Sequence, residues 1–363
     1  MIEKTKNIFV IITFVGAITI MLLINIIKED TQISVSERRK LEQFPEISFS
    51  KIIDGSFFEK FDKYVTDQFI ARETFRKVKV LSEKNIFKKL DYNNIYEKDG
   101  ILVEQLYPLN EKSVSNLIKK ISSIKESYLT EENKIYFTIV PDKNYFISGD
   151  NLKLDYSKMT NMMKDNLSFA KYIDIFDELQ LTDYYITDSH WKQENILNVA
   201  NKILKAMGIE RKYEYKEKEI NSFKGVYAGQ YPINTKSDKI IVLTNEIIEN
   251  CRVYNYEKNE ETKIYNMDKT KAYDKYDIYL SGATPLLRID NPNSSTNKEL
   301  IIFRDSYGSS LTPLLVEGYK KITVVDTRYI SPKILGEYIE FKNQDVLFEY
   351  STSLINDSVT IKW

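Results

Sequence analysis

Residues 8–27, IFVIITFVGAITIMLLINII, form a run of twenty residues without a charge. That is the length an α-helix needs to cross a bilayer core, roughly 20 residues. In lipid every backbone N–H and C=O must be satisfied within the segment, so such a run is restricted to helix. It is long for the apolar part of a cleavable signal. Lys28, Glu29 and Asp30 follow it, where a cleaved signal would show a small-x-small site. Residues 1–30 therefore read as an uncleaved signal anchor rather than as a buried core helix. Lys4 and Lys6 precede the run, and Lys28, Arg38, Arg39 and Lys40 follow it. Basic residues thus stand at both ends, and their count sets no orientation. A short tail inside and a large domain outside is the expected arrangement.

The remaining sequence has the patterning of a globular protein. Hydrophobic residues make up 42% of the chain and charged residues 29%, which sets it apart from disordered chains. Its 363 residues suffice for one large domain or two ordinary ones. Residues 31–54 read as a polar membrane-proximal linker and lead-in segment. From residue 55 to 90 the pattern is helical, with Phe58, Phe61, Tyr64, Val65, Phe69 and Phe75 at three- and four-residue steps. A second amphipathic helix is predicted over 114–129. Residues 135–140, IYFTIV, read as a buried strand stopped by Pro141. The helix predicted from Trp191 onward ends at Gly208, a C-cap signal. The stretch 299–318 reads as strand, turn and helix. Two more strands are predicted in KITVVDTRYI and QDVLFEYST.

Apolar strands alternating with helices imply an α/β fold, with a mostly parallel sheet covered on both faces. Such sheets bind ligands at the carboxyl ends of their strands. The pattern degrades over about 210–285, which reads as a partly β insertion or lid. The expected catalytic domain is 55–363, with this insertion inside it.

Several chemistries are excluded or unsupported. The net charge of −1 gives no reason to expect nucleic acid. The single cysteine, Cys251, excludes an internal disulfide and a thiolate metal cluster. With one histidine, His190, a histidine-rich metal site is impossible. No metal or cofactor is expected.

Two motifs carry chemistry. In LIIFRDSYGSSL, Ser306 falls in the turn between a buried strand and a helix starting around Ser309. Such a serine exposes its hydroxyl at the sheet edge. The helix start offers free N–H groups and partial positive charge, as a nucleophile with half an oxyanion hole requires. Ser306 or Ser309 as a plain helix cap is the alternative. In TDSHW, Asp188 stands two residues before His190. In extended backbone the two side chains would share one face; a local loop could equally bring the carboxylate to the ring. Either way the carboxylate could fix the imidazole tautomer and stabilise the imidazolium. A histidine satisfied locally beside a core tryptophan is the bland alternative. Serine, base and acid together outline an Asp-His-Ser hydrolase or transferase.

At these motifs the chain resembles the DHHW family and the related alginate O-acetyltransferase group. The likeness runs from about residue 37 to 350. ERRKLEQFPEIS with DGSFFEKFDKYVTDQF and Arg72 resembles the family's N-terminal segment. YEKDGILVEQ, VPDKNYF, TDSHW, LIIFRDSYGSSLTPLL and VVDTRYI follow in the family's order. The resemblance implies an SGNH-hydrolase-like three-layer α/β/α fold. It also implies an acetyl-serine intermediate on Ser306, with His190 as general base and Asp188 as its orienter. Arg328, Lys143, Tyr145, Tyr307 and Tyr329 are the candidate substrate or oxyanion contacts. The implied acceptor is a secreted or cell-surface polysaccharide, cellulose or another neutral polymer as much as a uronic acid polymer. A membrane-bound O-acyltransferase is the implied acetyl donor, beside a polysaccharide synthase or export complex. The place of the chain would be the cell membrane, single-pass, with the catalytic domain extracytoplasmic. The family's frequent double histidine is Ser189-His190 here, which keeps the histidine before tryptophan. An acetyl esterase of the same fold differs only in admitting water to the acyl-enzyme. A non-catalytic polysaccharide-binding component of an export system is the rival from another class.

Overall fold

The computed structural model describes residues 2–34, 36–37, 39–149, 151–210, 214–233 and 236–362. Contacts divide the chain into two units, Met1–Tyr92 with Ala228–Asn234, and Asn93–Tyr227 with Thr235–Trp363. The sequence pattern began the catalytic domain at residue 55, whereas the contacts begin the larger unit at Asn93. The reason lies in what residues 55–90 bury. They form two helices, α2 (Ser56–Gln68) and α3 (Arg72–Asn85), and each buries one residue, Gln68 and Val80. The chain breaks between them at Ala71, which takes φ +56°. Ahead of them in the same unit, α1 (Ile2–Ile27) carries the apolar run. Among the described residues it is the one helix long and apolar enough to cross a membrane.

The larger unit is built on an eight-stranded sheet. In chain order we number its strands β1 (Ile135–Val140), β2 (Lys171–Tyr172), β3 (Arg252–Asn255), β4 (Glu260–Thr262), β5 (Leu286–Asp290), β6 (Glu299–Arg304), β7 (Lys321–Val325) and β8 (Asp345–Ser351). Their order across the sheet is β4-β3-β5-β7-β6-β8-β1-β2. From β7 to β2 all neighbours are parallel. β5, β3 and β4 continue the sheet antiparallel. So β3 and β4, which fall inside the region read as an insertion, belong to the main sheet. The hairpin of that region is Lys216–Phe223 paired with Asp238–Thr244.

Alternation along each strand sends side chains to two cores. Leu300 and Ile302 of β6 join one core; Ile301 and Phe303 join the other. The first is roofed by α6 (Leu197–Ala206) and by α7 (Gly308–Leu311) with the 3-10 turns after it. The second is roofed by α4 (Glu111–Tyr128) and α5 (Tyr156–Asn166). Helix starts are capped as their sequences suggest. Asn110 accepts from Ser113 N–H ahead of α4, and Asp155 from Lys158 N–H ahead of α5. α6 ends at Gly208 with φ +74°, the left-handed stop that glycine adopts without strain.

Phe303 and Phe348 stack at 4.8 Å on the adjacent central strands, and both are fully buried. Phe348→Ala removes this ring from a site that cannot collapse without moving the sheet. It should cost about 3–5 kcal/mol of stability, read by denaturant unfolding.

Candidate active site

Strand β6 delivers Ser306 to the carboxyl edge of the sheet, and the backbone turns at Ser306 and Tyr307 into α7. Asp305 pins that turn. Its Oδ1 accepts from Tyr307 N–H at 3.0 Å. Its Oδ2 accepts from the backbone N–H and the hydroxyl of Ser351 at 2.8 and 2.6 Å. Ser351 ends β8, so the neighbouring strand end holds the serine turn in place. Any side chain at position 308 would start 2.6 Å from Arg304 Cβ and from Glu349 Oε2, so the turn needs Gly308. Burial first, and then the nearby Asp305 charge, push the Glu349 carboxyl well above its ordinary range.

His190 comes from a loop. Tyr185 N–H donates to the His190 carbonyl at 3.1 Å, and Tyr184 bridges to Trp191. The chain between is bent rather than extended, so Asp188 reaches the ring through the local loop. Asp188 Oδ1 lies 2.6 Å from His190 Nδ1 and also accepts His190 N–H at 3.2 Å. Its Oδ2 accepts Val226 N–H at 3.0 Å. His190 Nε2 lies 2.8 Å from Ser306 Oγ. A carboxylate on Nδ1 holds the proton there, which leaves Nε2 as acceptor for the serine hydroxyl. Asp188 is fully buried; His190 and Ser306 keep a small opening to solvent. The structure thus brings together the acid, base and serine singled out in the sequence.

Other residues hold this line in place. Asp238 binds the loop through Ile186 N–H, Thr187 N–H and the Thr187 hydroxyl, at 2.6, 2.7 and 2.5 Å. The Thr187 hydroxyl oxygen also accepts Gly225 N–H at 2.7 Å. A side chain at Gly225 would start 2.3 Å from Asp188 Cβ, so this approach is possible only for glycine. Tyr276 lays its ring on the imidazole, centroids 3.9 Å apart and nearly parallel. Its hydroxyl meets Ser310 Oγ at 2.7 Å. Trp191 donates to the same oxygen at 2.9 Å, and Gln193 donates to the Ser310 carbonyl at 2.8 Å. The sequence pattern missed Asp238, Tyr276, Gln193 and Asp305. Only Asp305 carried a signal, as the residue before the serine.

The candidate substrate contacts are placed less favourably. Tyr307 has both donors engaged: its N–H with Asp305, and its hydroxyl with the Ser189 carbonyl at 2.7 Å. It is a packing residue, not a free oxyanion donor. The helix expected after the serine is a single turn followed by 3-10 structure, so it adds little dipole. Arg328 grips Asp326 with two donors, at 2.9 and 2.7 Å. Tyr329 is exposed beside it. Register pairs Phe303 with Val325, so Arg328 follows β7 as Ser306 follows β6, at the same sheet edge. Tyr145 packs its ring against Phe146, Tyr156 and Phe176.

Lys143 does not face solvent, contrary to the expectation for a strand-end lysine. It is 2% exposed, and its Nζ donates to the Leu102 carbonyl at 2.8 Å. Burial pulls its ammonium down to about 7, against the opposing pull of Asp188 and Asp238. The unfolded chain keeps that proton to its ordinary value of roughly 10.4. Between these values the unfolded state binds more protons, so this group makes stability rise with pH from about 7 to about 10. Lys143→Met should flatten that rise. Melting temperatures of the two proteins across this window give the check.

No family model matches the chain, and no curated protein matches it. Solved structures do. A DHHW family protein from Eubacterium siraeum superposes with a TM-score of 0.57 at 18% identity, over 72% of this chain and 91% of that one. PatB1 from Bacillus cereus, carrying a sulfonyl adduct, gives 0.60 at 18% identity, over 72% and 95%. PatB1 solved a second time gives 0.58 at 18% identity, over 72% and 96%. The mixed sheet with its helical roofs is therefore the fold that the DHHW family protein and PatB1 also have.

Proposed function

We propose that this chain is a membrane-anchored acyl-transfer enzyme of the DHHW type, an O-acetyltransferase acting on a secreted or cell-surface polysaccharide. One observation carries the reading: the unbroken line from Asp188 through His190 to Ser306, at the carboxyl edge of the sheet. In this reading His190 Nε2 takes the Ser306 proton as Oγ attacks the carbonyl of an acetyl donor. The Asp188 carboxylate stabilises the resulting imidazolium. Collapse of the tetrahedral intermediate breaks the donor's acyl bond, and the imidazolium returns its proton to the leaving group. Acetyl-Ser306 remains. A sugar hydroxyl then enters, His190 takes its proton, and the acetyl group passes to the sugar oxygen. The second collapse restores the serine hydroxyl.

The remaining parts fit around that step. Residues 1–30 act as the anchor and 31–54 as the linker, with the catalytic unit outside the membrane. Arg328 and Tyr329, on the same strand-end rim, are where an acceptor chain would be met. A membrane-bound O-acyltransferase would supply the acetyl group, beside the polymer's synthase or export complex. Arg328 shares Asp326 with the buried Arg304, so a neutral polymer such as cellulose and a uronic acid polymer both suit this rim. An esterase would run the same first half and admit water to the second.

The test is to give the purified full chain an activated acetyl ester, with and without oligosaccharides. Wild type should release acetate slowly and acetylate the oligosaccharide faster than water. Ser306→Ala and His190→Ala should each lower turnover by about 10³–10⁶-fold, and Asp188→Asn by about 10⁴-fold. A sulfonyl fluoride should add one sulfonyl group to the peptide bearing Ser306. Release of acetate with no transfer would make the protein an esterase. No reaction in wild type would sink both.

A further inference from the structure

The first unit bears a feature that acyl transfer does not use. α2 and α3 each present an apolar stripe to solvent. On α2 it is Phe58, Phe61 and Val65; on α3 it is Phe75, Val78 and Leu81. Steps of three or four residues put each set on one helix face. Lone exposed apolar residues are ordinary, but a stripe on each of two consecutive helices is not. The rings also sit together: Phe61 lies 6.0 Å from Phe44 and 5.8 Å from Phe57, and Phe75 lies 5.7 Å from Phe69.

The junction of these helices is bonded to the end of α1. Ile70 N–H donates to Asn25 Oδ1 at 2.7 Å. Gln68, buried at the last position of α2, exchanges two bonds with the Thr31 backbone, both at 2.9 Å. Its side chain also donates to the Glu42 carbonyl at 3.0 Å. The Tyr64 hydroxyl donates to Asp30 Oδ1 at 3.1 Å. Asn25 stands two residues before the end of the apolar run. At 1.5 Å per residue that is about 3 Å along the axis. The turn between α2 and α3 is thereby fixed at the depth where the apolar helix runs out.

We infer that α2 and α3 are an interfacial helix pair. Their apolar stripes lie in the boundary between the headgroups and acyl chains of the bilayer that α1 spans. This rests on the anchor reading above. A helix with one apolar stripe and a charged opposite face settles in that boundary. Lys60 and Lys63 of α2 and Lys77 and Lys79 of α3 lie off the stripes, where long cationic side chains reach headgroup phosphates. Lipid is favoured over a protein as occupant because the bonds to Asn25, Asp30 and Thr31 deliver the stripes to it whenever α1 is inserted. A protein partner would have to be recruited separately.

The experiment uses the full chain reconstituted in phosphatidylcholine–phosphatidylglycerol vesicles. Single cysteines replace Phe58, Phe75, Lys63 or Phe14 and carry an environment-sensitive fluorophore. Cys251 is buried and its thiol is pushed up to about 12, so it stays unlabelled. Nitroxide-bearing lipids then report depth. Phe58→Cys and Phe75→Cys labels should be quenched several-fold more than the Lys63→Cys label by lipids spin-labelled near the headgroup. The Phe14→Cys label should be quenched by lipids labelled deep in the acyl chain. Far-ultraviolet circular dichroism checks each fold, and Phe61→Cys and Val78→Cys replace any variant that fails. If Phe14 is deep while Phe58 and Phe75 stay in water, the inference is overturned and the anchor stands. If Phe14 is outside the acyl chains, the anchor reading falls and takes the inference with it. Blue-shifted Phe58 and Phe75 labels without lipid quenching mean a protein occupant, and also overturn it.

Discussion

The contact on which the geometry around Ser306 depends is the one between the Asp188 carboxylate and His190 Nδ1. Asp188 is fully buried, and a buried carboxylate is tolerated only where hydrogen bonds replace its lost water. Here the imidazole, His190 N–H and Val226 N–H are among the groups that do so. The last of these requires the chain to pass close by at Gly225, where no side chain fits. Thr187, Asp238 and the bend from Tyr185 to His190 follow from the same need. The loop is shaped around one charge, and the His190 imidazole is aimed at Ser306 as a result.

The two halves of the site are far apart in sequence, and their junction is a small buried polar network. Ser310 stands at its centre, approached by Trp191, Gln193 and Tyr276. Asp305 makes the equivalent junction on the other side, tying the serine turn to the end of β8. Networks of this kind specify position well only when every member is satisfied. The alignment of His190 with Ser306 is thus a property of several strand ends at once.

Part of this was legible in the sequence, for physical reasons. β1, β6, β7 and β8 are buried on both faces, so each is a mostly apolar run bounded by polar residues, the pattern parallel strands leave. Asp188, His190 and Ser306 were legible because their types are scarce or chemically apt and two of them stand only two positions apart. β3 and β4 were not legible: they are four and three residues long, with polar side chains throughout β4. Asp238 and Tyr276 act on residues 51 and 34 positions away, and no local pattern encodes such a partnership. Lys143 was misjudged because lysine usually ends in water. Its burial depends on the carbonyls of Leu102 and Ile186, which composition does not reveal. Residues 55–90 had a clear helical period, yet period alone does not say what covers an apolar face.

The stack of Tyr276 on the imidazole has a thermodynamic side. A ring held between a carboxylate at 2.6 Å and a parallel aromatic face at 3.9 Å has almost no rotational freedom left. Orienting a base costs entropy whenever it is done. For the His190 imidazole that loss belongs to folding, where many burial terms offset it. In the proposed reaction, an acyl group arriving at Ser306 would meet an imidazole already aligned.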